Sequence, residues 1–225
     1  MPNYIIAIDG TAGCGKSTIS RALANKIGFT YIKTGEMFRS ITYKLIKEKV
    51  SLQDEEKIKQ ILNNLDLKFK YTKDRQISIL DGEDITEELN SLIIDGIVSQ
   101  VSSIDLVRKK VLEFEREAAK EYNIVMEGRD IGTVVFPDAD AKIFLTSTIE
   151  ERTKRRYIQS LESGITITQD EIMHNILFRD EIDMLKENGS LKKADDAIEI
   201  VNSNKTIDQV VEEIIKVLKD KGIQF

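Results

Sequence analysis

Eight residues, Gly10-Thr11-Ala12-Gly13-Cys14-Gly15-Lys16-Ser17, fill every fixed position of the phosphate-binding pattern G-x-x-x-x-G-K-[ST]. Glycines at this spacing let consecutive backbone amides turn inward around phosphate oxygens, and the helix expected after them adds partial positive charge at its N-terminus. In such a loop Lys16 reaches the β- and γ-phosphates and Ser17 is placed to ligate Mg²⁺. A second set of charged residues follows later strands. Arg39 lies just beyond Thr34-Gly35, where its guanidinium is able to hold a second phosphate group bidentately. In Glu127-Gly128-Arg129-Asp130-Ile131-Gly132-Thr133, two glycines bracket a charge pair directly after an apolar run. Arg129 reads as a phosphate clamp and Asp130 as a hydrogen-bond acceptor, with an ion pair between the two as the plainer reading. Glu127 stands where P-loop enzymes carry an acidic residue beside the metal.

Arg152, Arg155 and Arg156 fall on one expected helix, with Arg152 and Arg156 on the same face. Arg179 and Asp183 share a face of a later helix, and Lys186 follows three residues on. Phosphoryl transfer needs positioning and charge stabilisation more than covalent help, so arginines converging from a second lobe suit it; a solvated charged face is the alternative. Cys14 reads as a small filler in the loop rather than a redox switch. His174, the single histidine, reads as a helix-surface residue.

The elements that must position these groups are legible as alternating patterns. Apolar runs at Tyr4–Asp9, Phe29–Lys33, Asn123–Glu127, Ala141–Thr146 and Ala197–Val201 are expected as buried parallel strands. Helix-period segments include Lys16–Ile27, Ile104–Tyr122, Thr148–Ser163 and Thr206–Leu218. Strand–helix alternation implies an α/β doubly wound sheet, whose ligands collect at the carboxyl ends of the strands. Two stretches break the rhythm. Residues 36–103 read as a helix–hairpin–helix lobe inserted into the core, with Leu67–Tyr71 and Gln76–Leu80 pairing across Thr72-Lys73-Asp74-Arg75. Residues 157–183 read as a lid or as an ordinary helical hairpin. The core then comprises 1–35, 104–156 and 184–225.

Composition narrows the class. A net charge of −6 argues against a nucleic-acid or acidic-membrane surface as the main partner. One cysteine rules out an intrachain disulfide and a Cys-rich zinc site. No apolar run is long enough for a membrane span, and the first is too short for a signal peptide, so a soluble cytoplasmic protein is expected. None of the twelve glycines has Asp three residues before it, and Asn-Lys-x-Asp is absent, which excludes a GTPase. What remains is a small-molecule kinase.

With these residues in view, the chain resembles the bacterial-type cytidylate kinases over essentially its whole length. The resemblance rests on Ile8-Asp9-Gly10 leading into the loop, Thr34-Gly35 with Arg39, Ser99-Gln100-Val101, Gly128 through Ala139, Arg179-Asp180 and Asp183. It implies a five-stranded parallel sheet with an inserted nucleoside-monophosphate lobe and a short lid, and transfer of the γ-phosphoryl of ATP to CMP or dCMP with Mg²⁺. It implies ATP on Gly10 to Ser17 and Thr18, with Arg156 close by. It also implies Arg39 and Arg129, with Thr34, at the CMP phosphate; Ser99, Arg108 and Asp130 at the cytosine edge; and Arg179 and Asp183 at the sugar and phosphate. Lys16, Arg129 and Arg179 are the expected catalytic groups, Ser17 the metal ligand, and a monomer the expected state. Lys33, Glu36 and Lys186 depart from the family pattern, which has Asp, a small residue and Arg there. Lys33 and Glu36 are expected to pair, while Lys186 keeps the charge without the planar fork. A kinase for another acceptor such as UMP, and a nucleotide-binding module with weakened transfer, are the competing readings.

Overall fold

The computed structural model describes residues 3–72, 75–162 and 164–225. In chain order the elements are β1 (Ile5–Gly10), α1 (Lys16–Ile27), β2 (Thr30–Lys33), α2 (Thr34–Lys47), α3 (Glu55–Asn63), β3 (Leu67–Tyr71), β4 (Gln76–Leu80), β5 (Glu83–Asp84), α4 (Leu92–Val101), α5 (Asp105–Glu121), β6 (Ile124–Gly128), β7 (Ala141–Thr146), α6 (Ile149–Glu162), α7 (Gln169–Leu185), β8 (Ile198–Val201) and α8 (Ile207–Asp220). The five expected core strands are present and form one parallel sheet in the order β2-β6-β1-β7-β8. The chain is thus an α/β doubly wound protein with β1 in the middle.

Period-two alternation explains why helices cover both faces. Ala7 of β1 and Ile124 and Met126 of β6 face one core, built with Met37, Ile41 and Leu45 of α2 and Val107 and Val111 of α5. Ile6 and Ile8 of β1 and Val125 of β6 face the other, built with Ile19, Leu23 and Ile27 of α1 and Val210, Ile214 and Leu218 of α8. Thr206 and Gln209 close a capping box that starts α8, and Thr168 and Glu171 do the same for α7. Among the described residues, no helix is long and apolar enough to cross a membrane.

The expected hairpin is β3–β4, in register from Leu67↔Leu80 to Tyr71↔Gln76. Its turn residues Lys73 and Asp74 lie outside the described residues, as does Ser163 at the end of the expected helix that became α6. A two-residue strand, β5, was not expected and completes a separate three-stranded antiparallel sheet. Residues 157–183 contain the end of α6 and most of α7, which pack against each other as a helical pair.

Parallel register brings all five strand ends to one edge: Lys33 lies beside Glu127, Asp9 beside Gly128, Gly10 beside Leu145 and Thr146 beside Val201. The order reverses at β1, so the loop after β1 opens onto the crevice where such sheets bind ligands. Gly10 ends that strand at φ +154°, and a Cβ there would lie 2.1 Å from the Leu145 carbonyl oxygen. Only glycine fits the step from strand into loop.

Candidate active site

The glycine loop joins β1 to α1 as its pattern requires. Gly15, at φ 92°, leads into α1. Lys16 is buried and folds back over the loop, donating to the carbonyls of Gly10 at 2.8 Å and Thr11 at 2.7 Å, with Cys14 Sγ at 3.7 Å. Burial pushes its ammonium below the ordinary lysine value and Arg129 pushes it further, while Cys14 and Glu127 pull it back. Cys14 is fully buried in the core facing α1, so the filler reading holds. Thr11 and Gly15 are partly buried, while Gly13 and Thr18 are exposed on the loop and first turn. The Thr11 hydroxyl oxygen is buried and, among the described residues, makes no hydrogen bond.

Beside the loop, Ser17 Oγ donates to Glu127 Oε1 at 2.6 Å, and Tyr31 OH donates to the same oxygen at 3.1 Å. Thr34 Oγ1 donates to the Glu127 carbonyl at 3.0 Å, tying the start of α2 to the end of β6. A serine hydroxyl and a carboxylate in contact are hard oxygen donors of the kind Mg²⁺ takes when phosphates and waters complete its shell. The donor set therefore fits the metal, with Ser17 and Glu127 side by side.

Across the crevice the charged residues form a connected set. Arg129 Nε donates to Asp183 Oδ2 at 2.8 Å, and Asp183 Oδ1 accepts from Lys186 Nζ at 2.8 Å. Burial raises the Asp183 carboxyl, but Arg129 and Lys186 outweigh it and hold the group below the usual carboxylate range. Burial also works against the Arg129 charge, and Asp183 more than offsets it. Lys186 Nζ reaches Ser102 Oγ at 3.0 Å. Asp130 pairs with Arg108 Nη2, and Arg108 Nη1 donates to the Ser102 carbonyl at 3.3 Å. Burial nevertheless leaves the Asp130 carboxyl above its ordinary value. The plainer reading of Arg129 and Asp130 as partners of each other is thus corrected: each is held by a different helix. A Cβ on Gly189 would lie 1.7 Å from Arg108 Nη2, so the backbone after α7 closes directly over that guanidinium.

Arg39 donates to the Leu89 carbonyl at 2.8 Å and pairs with Asp95 of α4. Ser99 lies one turn along the same helix, partly buried, its carbonyl accepting from Ser102 Oγ at 2.9 Å. The expected Lys33–Glu36 pair forms at 3.0 Å. Arg179 on α7 is half-buried, and among the described residues its Nε makes no hydrogen bond. Burial lowers its pKa, and the nearby guanidiniums of Arg129 and Arg39 lower it further. Lys16 and Arg179 also push against each other. Lys16, Arg129 and Arg179 therefore lie near enough for their charges to act on one another, with Arg39 acting on Arg179.

The α6 arginines separate. Arg156 lies 3.8 Å from Asp95, across from the loop, with its side chain half exposed. Arg155 is the residue on the loop: it donates to the Cys14 carbonyl at 3.1 Å and to the Asn202 carbonyl at 3.1 Å. Arg152 is buried against Asp180 and so does not share the exposed face of Arg156. The sequence reading did not single out Asp95 or Asn202, and it quoted Asp9 and Asp180 within the matching motifs without assigning them a role. Asp9 accepts from the amides of Ile131 at 2.9 Å and Gly132 at 2.8 Å. It fixes the single π-type turn Ile131–Val135 that follows Asp130. Asn202 is buried and donates to the Cys14 carbonyl at 2.6 Å. Its place just past the end of β8 was the signal available for it.

A phosphate-binding loop after the central strand, a serine and a carboxylate in contact beside it and basic side chains nearby are the parts of a P-loop phosphotransferase. A family model described as cytidylate kinase matches residues 6–220, and the chain belongs to that family. It is 42% identical over 216 residues to a cytidylate kinase from Caldicellulosiruptor saccharolyticus, covering 96% of each chain. It is 43% identical over 215 residues to one from Clostridioides difficile strain 630, covering 96% of this chain and 98% of that one. Among solved structures, an uncharacterized protein from Eubacterium ventriosum aligns over 97% of this chain and 99% of that one, with a TM-score of 0.53 and 14% identity. That last likeness concerns the fold alone.

Proposed function

We propose that this protein transfers the γ-phosphoryl group of ATP to CMP or dCMP, releasing ADP and CDP or dCDP. The observation that carries the reading is a glycine loop with buried Lys16 and, near enough to act on its charge, Arg129 and Arg179, with Arg39 acting on Arg179 in turn. Two polyanions meet only where such charge screens their repulsion. No residue need remove a proton, because the acceptor phosphate is already anionic; catalysis is positioning and charge stabilisation.

In this reading ATP lies along Gly10 to Thr18, with Arg155 as well as Arg156 on its lid side. Arg39, Arg129 and Thr34 hold the acceptor phosphate. Ser99, Arg108 and Asp130 read the cytosine edge, and Asp183 with Lys186 holds Arg129 against the sugar and phosphate. Lys16 and Arg179, whose charges have no carboxylate partner among the described residues, flank the moving phosphoryl. Ser17 and Glu127 hold Mg²⁺, which neutralises charge on the β- and γ-phosphates when bound. Residues 36–103 act as the acceptor lobe and 157–183 as the lid, and their closure excludes water. The proposed state is a monomer working in the cytoplasm, where its substrates are made and used.

The test is an ADP-release assay with Mg-ATP and a panel of CMP, dCMP, UMP and AMP. Turnover with CMP and dCMP well above the others is expected. Folded protein that turns over none of them overturns the kinase reading, and preference for UMP overturns the cytosine assignment.

A further inference from the structure

Arg152 and Asp180 belong to neither the ATP contacts nor the acceptor contacts described above, yet both are buried. They enclose one residue of the phosphate-binding loop, Ala12. Asp180 Oδ1 accepts from the Ala12 amide at 2.8 Å, Arg152 Nη1 donates to the Ala12 carbonyl at 3.0 Å, and the two side chains pair with each other. Both backbone polar groups of Ala12 are thus satisfied by side chains more than a hundred residues away in sequence. The arrangement is not one that stability alone favours. A buried ion pair recovers little over an apolar pair of the same size, and here Arg152 Nε is left without a hydrogen bond among the described residues.

What the pair does achieve is register. Asp180 sits on α7 between Arg179 and Asp183. The former faces the cations of the crevice, and the latter holds Arg129 and Lys186. Lys186, just past α7, reaches Ser102 at the end of α4. The helix therefore spans the molecule from the ATP loop at one point to the acceptor side at another. A helix is stiff over this distance, so an anchor at Asp180 fixes where Arg179 and Asp183 stand.

We infer that Arg152 and Asp180 are positioning residues that lock α7 to Ala12, so that filling of the ATP loop and binding of the acceptor nucleotide are energetically coupled through this helix. The inference rests on the phosphotransferase reading above. Neither residue touches a reacting atom; both act through Ala12 of the loop and through Arg179. Linkage makes the coupling reciprocal: whatever ATP contributes to CMP binding, CMP contributes to ATP binding.

The experiment is titration calorimetry with CMP, in the presence and absence of a non-hydrolysable ATP analogue with Mg²⁺, alongside steady-state kinetics. The full-length protein is compared with Asp180→Ala, Asp180→Asn and Arg152→Lys. In the unmodified protein the analogue is expected to tighten CMP by about tenfold. Asp180→Ala should bring that factor to about one, with CMP affinity in the absence of analogue within about twofold and kcat down by about tenfold or more. Asp180→Asn keeps an acceptor for the Ala12 amide and the same volume. It should fold even if the alanine variant does not, and should retain part of the coupling. Melting temperature separates misfolding from the proposed effect. Folded Asp180→Asn and Arg152→Lys with undiminished coupling and kcat overturn the inference. So does an unmodified enzyme that turns CMP over with no coupling, or a variant whose whole defect is weaker binding of the analogue alone. If the unmodified protein neither binds nor phosphorylates CMP, the functional reading fails instead, and the same coupling is read with whichever acceptor the panel selects.

Discussion

Replacing Glu115 by Gln should make the protein more stable, and the gain should grow with pH. Glu115 lies on α5 and is 4% exposed. It lines a cavity of about 220 Å³ together with Phe38, Arg108 and Asp130. Burial, reinforced by the Asp130 charge and opposed by Arg108, pushes its carboxyl from 4.5 up to about 8. A carboxyl whose folded pKa is raised binds a proton more tightly in the native state than in the unfolded chain. Its contribution to stability is fully present below 4.5 and is lost as pH rises through about 8. At 1.36 kcal/mol per unit, the 2.5 units between 4.5 and pH 7 amount to roughly 3 kcal/mol, and the full span to roughly 5 kcal/mol above pH 8. Glutamine has the same shape and stays neutral. The variant should match the parent near pH 4.5, exceed it by roughly 3 kcal/mol near pH 7 and by more near pH 9. Urea unfolding at these three values reads the difference, because groups away from Glu115 titrate alike in both proteins. A difference that does not change with pH, or a variant that is the less stable of the two at pH 9, refutes the reasoning.

Three further outcomes follow from single contacts. Gly10→Ala should yield no folded protein on expression, because its Cβ would lie 2.1 Å from the Leu145 carbonyl in the central sheet. Lys186→Arg should lower stability by about 1–3 kcal/mol, because the pocket around the ammonium is closed by Asp183 and Ser102 and a guanidinium overfills it. A melting curve and a CMP titration check this, and an unchanged melt with tighter CMP would count against it. Asp95→Asn releases Arg39 from its ion pair and should lower the CMP KM by about threefold with kcat held or reduced, as read in the ADP-release assay. A raised KM would mean that Asp95 orients Arg39 rather than competing for it.

How far the sequence anticipates this structure depends on the range of the interaction concerned. The five strands and the β3–β4 hairpin follow from local alternation, and each observed core strand lies within two residues of its expected bounds. The Lys33–Glu36 pair is three residues apart and was also legible. The anchors were not. Asp9 reaches Ile131, Asp180 reaches Ala12 and Asn202 reaches Cys14, each across more than a hundred residues and each through a backbone group that carries no sequence signature. The arginines of α6 show the limit of periodicity most plainly. Spacing by four places Arg152 and Arg156 on one face. Arg152, in the first turn, is covered by α7 and the loop, whereas Arg156, one turn on, projects toward Asp95. Helical phase sets direction around the axis, and only the neighbouring element decides how deep each turn is buried.

The crevice resolves two ways of holding a cation. Arg129 and Arg108 each have a carboxylate, in Asp183 and Asp130, which sets the orientation of the guanidinium before any nucleotide arrives, whereas Asp95 holds Arg39 in competition with a phosphate. Such a pair has little net charge at a distance, so it discriminates by geometry more than by attraction. Lys16 and Arg179 have no carboxylate within ion-pair distance among the described residues, and burial with the other cations outweighs the more distant Glu127, Asp183 and Asp95. A buried charge without a partner is costly, and that cost falls away when a phosphate enters between them. The phosphoryl group carries its greatest spread of charge midway between donor and acceptor, which is the place the proposed reading gives to Lys16 and Arg179. In the proposed reading the paired arginines choose and orient the acceptor, and the unpaired pair favours the group in transit; this division follows from which cations the fold supplies with an acid and which it leaves without one.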